Sequence, residues 1–113
     1  MQKDKPIKCY LCEEDAEQYH SPDTSRNKIV ECKKCGMYEL TSHVLKFHID
    51  EDIGLYYPHE HTSEEIPFCQ EQKNKLSRFV QKNCDLENRK PAWIDMKRIT
   101  AETGKRSGHV AYK

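Results

Sequence analysis

The strongest periodic signal runs from Ile66 to Cys84. There IPFCQEQKNKLSRFVQKNC sets Cys69, Leu76, Val80 and Cys84 near one side of a helix. Phe79 sits beside that stripe, and Lys73, Lys75 and Lys82 fall elsewhere, as in a surface helix with one face on a core. Pro67 fits the first turn, where its missing N–H is no loss. Earlier in the chain, NKIVEC and MYEL are short β-prone runs on either side of a cysteine pair. In TSHVLKFHI, Thr41 or Ser42 is placed to cap a short helix carrying Val44, Leu45 and Phe47. Residues 50–67 are acidic and turn-rich, with Gly54, Pro58 and Pro67, and read as a linker or long loop. DLENRKP breaks the helical pattern, and AWIDMKRITAETGKRSGHVAYK reads as two short helical pieces around Gly104.

The pattern predicts a small α+β protein. A β-rich unit with a short following helix is expected over 1–48, an acidic loop or linker over 49–66, and a mainly helical region over 67–113. The two pieces at the end would occupy 95–113.

Composition changes this picture in one respect. Of 113 residues, 35% are hydrophobic and 34% charged. Such a chain buries little core, and small domains of this kind need a staple. Six cysteines offer disulfides or a metal. The opening MQKDKPIK has no apolar stretch of a signal peptide, and no apolar run approaches membrane-spanning length. A cytoplasmic chain with reduced thiols and no membrane partner is the expectation, which favours a metal.

Cys9/Cys12 and Cys32/Cys35 form two Cys-x2-Cys pairs separated by 19 residues. Each such turn aims two sulfurs at one point, and two turns complete a tetrahedron with no open position. One structural Zn2+ on Cys9, Cys12, Cys32 and Cys35 is therefore expected. Iron suits the same ligands, and disulfides or free thiols are the bland alternative. Gly36, directly after Cys35, supplies the positive φ that such a turn often needs. Glu13 stands in the matching place of the first turn. The ending Cys32, Cys35, Gly36, Tyr38, Leu40, Thr41 resembles that of zinc ribbons in small bacterial proteins. The resemblance covers roughly a third of the chain; it implies a β-hairpin-rich zinc module and adds no enzymatic activity of its own, since ribbons serve many functions.

Cys69 and Cys84, if one helix holds both, lie about 22 Å apart and cannot share a metal. Both are expected to serve as small core residues. His59 and His61 in PHEH could bind a metal or act as a base, but no matching partners are evident. Exposed loop histidines are the plainer reading there and at His20, His43 and His48, and no enzyme is expected.

Net charge is zero but unevenly spread. Residues 49–72 hold seven acidic and no basic side chains, whereas residues 89–113 carry a local net charge of +5. A polyanionic partner is therefore expected only for the C-terminal end, although a solvated basic tail would look the same. Ile99, Thr100, Gly104 and Val110 follow the spacing of a helix-turn-helix, which this segment resembles. Thr100 stands where that motif usually has Ala, and Gly108 weakens the second helix by about 1 kcal/mol relative to Ala. The resemblance implies that Lys97, Arg98, Lys105, Arg106, Ser107, His109 and Lys113 face DNA.

A zinc ribbon joined to such an end is similar to antitoxin–repressors of bacterial toxin–antitoxin pairs. The expected function is a small zinc-binding, nucleic-acid-associated regulatory protein. The alternative is a protein–protein adaptor, inhibitor or antitoxin-like, that docks a protein partner through residues 50–71 and the apolar helix face.

Overall fold

The computed structural model describes residues 3–21, 26–50, 54–58 and 65–104. Four strands form an antiparallel meander: β1 (Lys3–Lys8), β2 (Asp15–His20), β3 (Lys28–Cys32) and β4 (Gly36–Leu40). Alternation along β3 and β4 sends Val30, Cys32, Tyr38 and Leu40 to one face. Ile29 and Met37 go to the other, where they meet Tyr19. Thr41 then caps α1 (Ser42–His48), its hydroxyl accepting the Val44 N–H at 3.4 Å.

The stretch expected to be a loop is not a bare loop. β5 (Ile49–Asp50), β6 (Gly54–Pro58) and β7 (Glu65–Pro67) pair antiparallel as a second, three-stranded sheet, and Leu55 and Tyr56 are buried. This pairing also delays the long helix. Pro67 sits opposite Tyr56, and the Phe68 N–H donates to the Leu55 carbonyl at 3.1 Å. Helix α2 (Gln70–Asn83) therefore starts after Pro67, with Cys69 as its N-cap. Gln72 returns its side-chain oxygen to the Cys69 N–H at 3.1 Å. Cys69 is exposed in consequence, so it is not the core residue expected, whereas Cys84 at the far end is half-buried against the core.

The break at residues 85–90 is a tight loop closed by the Asp85–Lys90 bridge. It is anchored to the outer sheet face by Arg89, whose two terminal nitrogens lie 3.2 and 3.3 Å from the Glu31 carboxylate. The chain next adds β8 (Ala92–Ile94), parallel to β4 at the sheet edge, and then α3 (Met96–Thr103). A parallel neighbour needs a long crossover, and the segment containing α1, the second sheet and α2 supplies it. Strand β8 thus carries the expected helical region into the N-terminal sheet. One core, including Val30, Tyr38, Val44, Leu55, Leu76, Val80, Ile94 and Ile99, spans both halves. Among the described residues no helix is long and apolar enough to cross a membrane.

Candidate metal centre

The β1–β2 connection supplies Cys9 and Cys12, and the β3–β4 connection supplies Cys32 and Cys35. The first turn is closed by Cys9 N–H to the Glu14 carbonyl at 2.8 Å and Glu13 N–H to the Cys9 carbonyl at 2.9 Å. Each pair is followed by a residue at positive φ: Gly36 at 108° and Glu13 at 64°. Both turns thus pass through positive φ just after their second cysteine, and Glu13 does so despite its side chain. Lys73 of α2 lies 3.6 Å from the Glu13 carboxylate.

All four sulfurs lie within 4.8 Å of one another. The Cys9–Cys35 separation is 3.8 Å and the Cys12–Cys32 separation 3.4 Å. A tetrahedral ion with four sulfurs at about 2.3 Å requires edges of about 3.8 Å, so the donor set fits a single metal ion. Cys9, Cys32 and Cys35 are buried and Cys12 is half-buried. Among the described residues no second group of metal-ligating side chains has such geometry.

Two hydroxyls outside the cysteine motif complete the site. Tyr38, fully buried on β4, places its oxygen 3.2 Å from Cys9 Sγ while accepting the Tyr10 N–H at 3.3 Å. Ser77 of α2 places its oxygen 3.1 Å from Cys35 Sγ while accepting the Gln81 amide at 3.1 Å. Once each cysteine is a metal-bound thiolate it has no proton to give, so in the loaded site each hydroxyl would donate to its sulfur. Backbone N–H groups of Leu11 and Cys35 point at Cys9 Sγ and Cys32 Sγ, each at 3.5 Å. Such donors fix the ligands and temper their charge.

The sulfurs hold their protons unequally. A hydrogen bond from Cys35 draws the Cys9 thiol down to about 5, reinforced by Tyr38 and the Leu11 and Cys12 amides and opposed by burial. The same hydrogen bond and burial push Cys35 far up. Burial pushes Cys12 up to about 11. Metal binding must therefore displace protons, and it tightens as pH rises. Burial also holds Tyr38 well above its ordinary value, so it stays a donor.

Sequence reasoning missed Tyr38 and Ser77 as partners of the cysteines. Ser77 had one signal, a hydroxyl beside Leu76 and near Val80 on the buried side of α2. Tyr38→Phe and Ser77→Ala are each expected to keep the fold yet weaken metal binding by about 10–100-fold. Competition against a chromogenic chelator measures this, and affinities equal to the parent's would show the hydroxyls to be bystanders.

The other expected residues are scattered. Lys97 is exposed. Arg98 is already engaged, 3.2 Å from the Glu102 carboxylate and 4.5 Å above the Phe79 ring. Lys105, Arg106, Ser107, His109, Val110 and Lys113 lie outside the described residues, as do His59 and His61. His48 is no exposed loop residue: it ends α1, is fully buried, and holds Nδ1 3.0 Å from the Tyr56 carbonyl oxygen. The architecture is thus a mixed α+β fold that brings four cysteines to metal-binding distance. Comparison with known protein families, curated proteins and solved structures finds no match for this chain.

Proposed function

We propose that the four cysteines hold one structural Zn2+ and that the chain is a small nucleic-acid-associated regulatory protein whose basic C-terminal end contacts DNA. The zinc part rests on the four-thiolate set and on sulfur separations that fit one tetrahedral ion. The nucleic-acid part rests on one observation, the way α3 is made. Its N-terminus is capped by Asp95, which accepts the Arg98 N–H at 2.8 Å. Ile99 and Thr103 are buried. Gly104 ends the helix in the left-handed conformation at φ 75°. Thr100, in the place of the usual Ala, returns its hydroxyl to the Met96 carbonyl at 3.1 Å and so remains compatible with the helix. These features, common to capped surface helices, are compatible with the first helix of a helix-turn-helix, and the basic residues from Lys105 onward follow directly in sequence.

The adaptor reading is the weaker one. Leu76 is 1% exposed in the core and Phe79 lies under Arg98, so the apolar side of α2 is already occupied.

The double variant Lys105→Glu, Arg106→Glu should weaken binding to duplex DNA by tenfold or more, about 1.4 kcal/mol or above, and flatten its salt dependence. Fluorescence anisotropy over a salt series reads this. Parent protein, zinc-loaded, that shows no salt-dependent binding to mixed-sequence duplex contradicts the reading.

A further inference from the structure

A strongly basic groove runs between α2 and α3, away from the cysteine cluster's ligands. Lys75, Arg78 and Lys82 line one wall and Arg98 the other, with Phe79 between them, around a volume of about 420 Å³. Leu76, Ser77 and Val80 anchor α2 by its buried face, so the three cations occupy its flank. From Lys75 to Lys82 they span about 10 Å along the helix. One carboxylate, Glu102, lines the groove.

The cations differ in how they are held. Arg98 is fixed between Glu102 and the Phe79 ring, with the side chain still 42% exposed. Lys75 lies 3.9 Å from Glu71. Among the described residues Arg78 and Lys82 make no ion pair. A groove with one pre-positioned guanidinium and two uncompensated cations strung along a helix suits a linear polyanion. Duplex nucleic acid presents a regular row of phosphates, one charge per about 1.7 Å of its axis, and arginine and lysine contacts to those phosphates set position and orientation.

We infer that this groove seats the phosphodiester backbone of a nucleic acid, as a contact additional to the C-terminal segment; the inference rests on the nucleic-acid reading above. An acidic polypeptide is the competing occupant. It is disfavoured because its carboxylates are sparser and because the groove's own wall already presents Glu102.

The test compares zinc-loaded parent, Arg78→Ala/Lys82→Ala, and the charge-matched control Lys8→Ala/Lys46→Ala. Each is titrated with a mixed-sequence duplex, its single strand, and polyglutamate over a range of salt. Arg78 and Lys82 are exposed, so zinc content and the circular dichroism of the variant should equal the parent's. The expected result is a loss of about tenfold in affinity for oligonucleotide, with the magnitude of the salt slope reduced by about 2, and no change in the control. Parent that binds with the groove variant equal to it overturns the groove and leaves the C-terminal reading standing. Parent that binds neither oligonucleotide removes both. Polyglutamate bound as tightly as oligonucleotide and lost in the groove variant overturns the nucleic-acid occupant.

Discussion

Cys32→Ser is expected to abolish metal binding and with it the cooperative unfolding transition. The cysteines tie the β1–β2 connection to the β3–β4 connection, and α2 docks on the same cluster through Ser77. With 35% hydrophobic residues there is little core to compensate. Structural zinc contributes about 10–16 kcal/mol of apparent binding free energy in small domains, more than the whole stability of most of them. A strong chelator should act on the parent as Cys32→Ser does. Cys69→Ser is the control: the residue is exposed at the helix N-cap, where Ser is a favoured cap, so metal content should be unchanged and the melting temperature equal to the parent's or slightly higher. A Cys32→Ser protein that melts cooperatively within a few degrees of the parent would show that the staple is dispensable.

The second large effect is expected from Gly36→Ala. Two costs coincide there. The backbone holds φ at 108°, a region L-residues avoid at about 1–3 kcal/mol. An added Cβ would also fall 2.6 Å from Cys84 Sγ and 3.6 Å from Val80. Cys84 Sγ must swing to another rotamer, the C-terminal end of α2 must lift from the second cysteine turn, or the turn itself must distort. A loss of at least about 2 kcal/mol is expected, with weaker metal binding, in chemical denaturation of the loaded protein. Adding Cys84→Ala should recover the steric share but not the backbone share, so the two substitutions should couple. Gly36→Ala with parental stability would mean that neither contact nor conformation constrains the turn.

Cys84 is therefore a packing residue whose neighbour, Gly36, has no room for a side chain. Its alignment with Leu76 and Val80 was legible in the sequence, but its place as the extended C-cap of α2 and its contact with the metal turn were not. The same division runs through the molecule. The cysteine pairs, the Thr41 cap, the body of α2 and the Gly104 stop were legible because each is written in residues a few positions apart. Strand β8 was not. AWI is three residues long and extends only because β4 offers it an edge, more than fifty positions earlier in sequence. Residues 49–67 misled in the same way, since acid, glycine and proline signal a loop, yet Leu55 and Tyr56 find a buried position through pairing with β7 and contact with α1. The start of α2 shifted past Pro67 because the Phe68 N–H is taken by Leu55. Arg98 was expected to face DNA. Its bond to Glu102, one helical turn on, was readable from spacing alone, whereas its seat on Phe79 depends on the packing of α3 against α2.

The proposed zinc ion, held by Cys9, Cys12, Cys32 and Cys35, would organise this fold by joining the two cysteine turns. Native mass spectrometry of protein purified without added metal, combined with thiol alkylation before and after chelation, tests it most directly. The expected result is one zinc per chain, rapid alkylation of exposed Cys69, and protection of the four cluster cysteines until the chelator is added. A metal-free chain whose four cluster cysteines are alkylated as fast as Cys69, or are found as two disulfides, would contradict it.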